Sequence, residues 1–102
     1  MNFLIKKNLR DKKYLKWLSA QPPHIPGWGD TVYHHVKLFC NGGVGIKPPD
    51  NDCLPVAFSV HDEIHQYGEK EILINRHGYS VELLRDICDT YYRIYKRTLR
   101  NS

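Results

Sequence analysis

The residues best equipped for chemistry in this chain are six histidines: His24, His34, His35, His61, His65 and His77. His61 and His65 stand four apart in a stretch with helical features. Their rings then share one face, a turn apart, and can bind one metal ion between them. A pattern this short constrains little by itself. His34 and His35 are neighbours in TVYHHV, which reads as a strand, and consecutive strand residues point to opposite sides. Read alone, the doublet is one surface ring and one core ring, whereas a bulge or the end of the strand would let both reach one site. Together the two pairs suggest a three-imidazole metal site with one uncoordinated histidine beside it. Three neutral imidazoles leave positions open on a divalent ion for water and phosphate oxygens. A free imidazole is suited to take a proton from water near neutral pH. These are the parts that hydrolysis of a phosphodiester needs.

The elements that must position these histidines follow from periodicity and turn chemistry. Residues 8–20 read as a helix, with Leu9, Tyr14, Trp17 and Leu18 available for one face. QPPHIPGWGD concentrates proline and glycine and reads as an irregular loop. The strand TVYHHV is followed by a second loop, CNGGVGIKPPDND, and a second strand, CLPVAF, in which Pro55 suggests an edge or a bulge. From Ser59 the pattern turns helical, with Ser59 as the expected cap and Asp62 three residues on. Gly68 is the expected end of that helix. EKEILINRH is a short helical stretch closed by Gly78. Ser80 then caps a longer helix, whose stripe of Val81, Leu84, Cys88, Tyr91 and Tyr95 reads as core. His24, isolated among prolines, reads as an exposed ring, and His77 as a residue at a helix C-terminus where a cation suits the dipole. Neither is assigned to catalysis.

With 102 residues, of which 41% are hydrophobic and 25% charged, the chain has the size and composition of one domain with a modest core. That balance argues against disorder and low-complexity architectures. No apolar run approaches the ~20 residues of a membrane span. The segment MNFLIKKNLRDKK lacks the order of a secretory signal, so the expected address is cytoplasmic. Cys40, Cys53 and Cys88 form no CxxC pair and read as reduced, semi-buried thiols. Charge is unevenly spread. Residues 1–16 carry a local +5, residues 91–102 a local +4, and the middle of the chain −5. Two basic ends around an acidic middle are able to track a polyanion, although basic helix faces are commonly just solvated.

The run HH, the Gly-rich GGVGIKPPD, a Leu-Pro-Val strand and then HDEIHQYGE closely resemble the HNH (His-Me finger, ββα-metal) endonucleases. The pattern is most similar to the small phage and prophage group that includes the RecA-dependent recombination-enhancing nuclease. The likeness runs from YLKWLSAQP at Tyr14 through RHG at His77 and into the last helix. It implies an α+β domain over residues 1–102, with a ββα-metal finger at about 31–67 and helical flanks at 8–20 and 69–99. Carried across position by position, His35 would be the general base, and His34, His61 and His65 the metal ligands. An acid or amide between the strands orients the base in the family. Asp50 is the candidate, with Asn51 and Asp52 as rivals. Lys47 in the Gly-rich loop is either a phosphate contact or an ordinary exposed lysine. The chain departs from the family at one feature. Many relatives carry a structural zinc knuckle, but the corresponding positions here are Pro23, Pro26, Ala57 and Val60. All four ligands are absent together, so no structural zinc is expected.

The resemblance thus implies a metal-dependent DNA endonuclease encoded by a phage or prophage. Mg²⁺ or Mn²⁺ is the preferred ion, and three imidazoles also accept Zn²⁺ or Ni²⁺. Lys12, Lys13, Lys16 and Arg97 are the expected backbone contacts to DNA, in addition to Lys47. A recombinase or another phage protein is a further implied partner, and no membrane is involved. The alternative is a catalytically inactive nucleic-acid-binding or recombination-accessory protein on the same scaffold. The missing knuckle favours that alternative, and the four retained histidines count against it.

Overall fold

The computed structural model describes residues 9–39 and 48–100. Helix α1 (Lys12–Ser19) leads into strands β1 (Thr31–His35) and β2 (Cys53–Ala57), and helix α2 (Phe58–Tyr67) follows without a break. A π-helical segment (Lys70–Arg76) and the long helix α3 (Val81–Arg100) complete the chain. The expected α+β class holds, as a two-stranded antiparallel sheet with helices around it.

Asp11 sets the start of α1. Its side chain accepts the Tyr14 N–H at 3.0 Å, so the helix begins later than the expected residue 8. The strands pair from Thr31 opposite Ala57 to His35 opposite Cys53. All five β2 residues are buried, which a short hairpin achieves only when both its faces are covered. On one side Leu54, Val56 and Ala57 pack with Val60, Ile64, Ile72, Leu73 and Leu84. On the other, Cys53 joins an aromatic cluster of Tyr14, Leu15, Leu18 and Tyr95, ringed by Trp17, Tyr91 and Tyr92. The Tyr14 ring meets Tyr92 edge-on at 4.8 Å and Tyr95 at 5.1 Å, and this contact holds α1 against α3. Pro55 lies within the paired strand opposite Tyr33, and its carbonyl accepts the His24 N–H at 2.7 Å.

Ser59 is not the cap of α2. Ala57 occupies that place with no side-chain bond, and the Ser59 hydroxyl instead accepts the Trp28 N–H at 3.0 Å. The proline-rich loop is therefore stitched to the first turn of α2. Ile25 bridges to Val56 and buries its side chain, and its carbonyl accepts the Ala57 N–H. Ala57 and Val60 are core residues. Further along, Ser80 does cap α3, accepting the Leu83 N–H at 3.0 Å, and Leu84, Cys88 and Tyr95 form its buried stripe. Cys53 and Cys88 are fully buried and form no disulfide, while Cys40 lies outside the described residues.

The segment after α2 is helical as expected, but wider than an α-helix. The His77 N–H reaches the Ile72 carbonyl, five residues back, at 3.1 Å. Gly78, at φ 77°, ends it. Among the described residues, no helix is long and apolar enough to cross a membrane.

Gly29 joins the loop to β1 at φ +90°, and a Cβ there would stand 2.9 Å from the Phe58 Cβ. Gly29→Ala therefore combines backbone strain with a clash. It is expected to cost about 1–3 kcal/mol and to lower the melting temperature by at least about 4 °C, measured by thermal denaturation.

Candidate functional site

The two histidines at the end of β1 have different partners. The His35 Nε2 bonds Asp50 Oδ1 at 2.9 Å. The other oxygen of Asp50 accepts the backbone N–H of Asp11, the α1 cap, at 2.7 Å. The Asp50 N–H donates to the Leu9 carbonyl, Arg10 donates to the Pro48 carbonyl, and the Val36 N–H donates to the Asp52 carbonyl. The segment 48–52 is thus tied both to the start of α1 and to the end of β1. Of the three candidates Asp50, Asn51 and Asp52, all buried, it is Asp50 whose carboxylate meets His35.

Burial alone would raise the pKa of Asp50. The hydrogen bonds from His35 and Asp11, with the electrostatic pull of His35 and Arg10, outweigh it and hold the carboxyl below its ordinary 3.8. Asp50 is therefore an anion at neutral pH. Its bond to the His35 Nε2–H leaves Nδ1 as the lone pair of that ring. The Tyr33 ring stands edge-on to His35 at 5.7 Å, on the same side of the strand, and is partly exposed.

His34 turns the other way, towards α2. Its ring meets His61 edge-on at 5.5 Å, and His61 meets His65 at 4.4 Å, forming a row of three imidazoles. The row runs from buried His34 through half-buried His61 to exposed His65. The Nε2 atoms of His61 and His65 stand 3.3 Å apart, within hydrogen-bond reach of each other. Two nitrogens on one tetrahedral ion, bonded at 2.0–2.1 Å, would be separated by about 3.3 Å. That pair therefore fits a shared ion in both chemistry and spacing. Burial lowers the pKa of His61, the nearby His34 and His65 lower it further, and Asp62 opposes them. The result favours the neutral ring that a ligand must be. Among the described residues, no group of three or more His, Cys, Asp and Glu side chains is assembled to hold a metal ion. The third imidazole of the row, His34, has its Nε2 engaged by Glu69.

Glu69 is the residue that the sequence reading passed over. Its Oε2 bonds the His34 Nε2 at 2.5 Å, and its carboxylate accepts the N–H groups of Lys37 and Leu38 at 2.8–3.1 Å. Gly68 makes this possible. It ends α2 at φ 97°, turning the chain so that Glu69 faces the end of β1. A signal for it was present, since His61, His65 and Glu69 follow one another at intervals of four.

The expected DNA contacts Lys12, Lys13 and Lys16 are exposed on α1, and Arg97 is exposed on α3. The two helices pack together through Tyr14 and Tyr95, so these charges lie on neighbouring elements. Lys47 lies outside the described residues. His24 is exposed, with its ring nitrogen 3.1 Å from the Tyr91 hydroxyl. No family model matches the chain, and no curated protein or solved structure does either.

An acid whose pKa is lower in the folded than in the unfolded protein contributes stability that is complete above the unfolded value. That contribution is lost as pH falls through the folded value. The Asp50 contribution should therefore be intact above pH 3.8 and fade below it. Asp50→Asn is expected to lose about 1.5–3 kcal/mol at neutral pH and to flatten the acid limb of stability. Urea unfolding of both proteins across the acid range measures this.

Proposed function

We propose that this chain is a metal-dependent DNA endonuclease of the ββα-metal type, hydrolysing phosphodiester bonds. The observation that carries the reading is the separate commitment of two adjacent histidines, His35 to a buried carboxylate and His34 to the imidazole row. In this reading His35, oriented by Asp50 through Nε2, takes a proton from water at Nδ1 as that water attacks phosphorus. Asp50 keeps the ring in the required tautomer and stabilises the imidazolium that forms. His61 and His65, with His34, are the residues that would hold a divalent ion, Mg²⁺ or Mn²⁺ by preference. When bound, such an ion supplies positive charge to the phosphoryl oxygens and the leaving group.

Lys12, Lys13, Lys16 and Arg97 hold DNA by its phosphates in this reading, which gives affinity without base selection. Each phosphate contact on duplex DNA contributes about 0.9 to the slope of log affinity against log salt. Replacing Lys12, Lys13 and Lys16 together by Gln should reduce that slope by about 2–3, as read by fluorescence anisotropy across a salt series.

The direct test is cleavage of supercoiled plasmid by metal-stripped protein, with Mg²⁺, Mn²⁺, Ni²⁺ and Zn²⁺ restored one at a time. Metal-dependent nicking is expected, with His35→Ala slower by about 10²–10⁴-fold while still binding DNA. A wild-type protein that binds DNA yet leaves it intact with every metal would replace this reading with that of a non-catalytic nucleic-acid-binding or recombination-accessory protein.

A further inference from the structure

Glu69 is the second carboxylate at the end of β1, and no part of the proposed hydrolysis has used it. Its acceptor capacity is heavily committed. Oε1 takes the N–H groups of Leu38 at 2.8 Å and Lys37 at 3.0 Å. Oε2 takes Lys37 at 3.1 Å and faces the His34 Nε2 at 2.5 Å. A carboxylate bonded in this way has little room to bind an ion directly. Towards His34 it is an acceptor, so the proton of that contact belongs to the ring. His34 then carries hydrogen on Nε2, and its lone pair is on Nδ1. His61 and His65, by contrast, approach each other through Nε2.

We propose that Glu69 is a positioning residue that fixes His34 as its Nε2–H tautomer, so that His34 serves the metal site through Nδ1. This rests on the metal-site reading above. A carboxylate behind a ligating imidazole locks the ring's orientation and raises its basicity, and losing such a partner typically weakens metal affinity 10–100-fold. Glu69 is suited to this because it is itself held. Lys37 and Leu38 are the residues that follow Val36 after β1, so the carboxylate and His34 are anchored to the same stretch of backbone. Gly68 supplies the turn, and the 12% exposure of the Glu69 side chain keeps water from competing.

Two measurements test the proposal. Long-range ¹H–¹⁵N correlation spectra of the metal-free wild type, assigned with His34→Gln, report the tautomer of His34 directly. The Nε2–H form is expected, and a predominant Nδ1–H form would overturn the proposal without any variant having to fold. Calorimetric titration with Zn²⁺, alongside Co²⁺ absorption, then compares wild type with Glu69→Gln, Glu69→Ala and His61→Ala, each first checked for native circular dichroism. Glu69→Gln keeps an oxygen for the backbone donors but lacks the charge, so it should bind 10–100-fold more weakly with an altered Co²⁺ spectrum. If Glu69→Gln and Glu69→Ala bind like wild type while His61→Ala does not, the metal site stands and the role of Glu69 falls. If wild type itself binds neither ion, the metal reading fails, and this proposal fails with it.

Discussion

The end of β1 is held between two carboxylates, and the rest of the site depends on that grip. Consecutive strand residues must diverge, so a histidine doublet cannot be organised from one side. Asp50 reaches His35 from the loop that precedes β2, and Glu69 reaches His34 from the turn that follows α2. Each acid is fixed by backbone N–H groups, Asp50 by Asp11 and Glu69 by Lys37 and Leu38. The cost of burying these groups is offset because every carboxylate oxygen of the two accepts at least one hydrogen bond. The hydrogen bonds that orient the imidazoles therefore also close the fold, tying α1, the loop before β2 and the segment after α2 to one short strand.

This arrangement gives the two histidines unlike chemistry. His35 is coupled to an acid that remains ionised at neutral pH, which suits a ring that gains a proton during a reaction. His34 heads a row whose middle ring, His61, has its pKa lowered first by burial and then by its imidazole neighbours, against Asp62, which suits a ring that must keep its lone pair. The strand sends the two rings to different partners, His35 to Asp50 and His34 to Glu69 and the imidazole row. In the proposed nuclease this separation keeps the base from being recruited as another ligand.

Much of this was legible in the sequence because it depends on local spacing. The strand around His34 and His35, the helical placement of His61 and His65, the glycine ends at Gly68 and Gly78 and the Ser80 cap all follow from neighbours within a few residues. Asp50 could be shortlisted with Asn51 and Asp52, but choosing among adjacent acids needs the register of a loop against α1. Ser59 was misread because serine before two acids has the composition of a cap. Its hydroxyl is taken instead by Trp28, 31 residues away in sequence. Glu69 was missed for a related reason. A helix-periodic reading stops at Gly68, and only the left-handed turn there shows that the next residue comes back to the strand. The π-helical width of 70–76, within which Ile72 and Leu73 are buried, likewise has no counterpart in the local spacing.

The charge distribution acquires a physical sense from the same geometry. An acidic middle is a poor surface for a polyanion if its carboxylates face outward. Two of them do not. Asp50 is 2% exposed and the Glu69 side chain 12%, and both are turned onto imidazoles and backbone N–H groups. The exposed lysines of α1 and the basic end of α3 lie on helices joined by the tyrosine cluster. The formal −5 of the middle segment therefore overstates how much negative charge faces solvent. What reaches solvent at the end of the row is the exposed ring of His65, beyond half-buried His61.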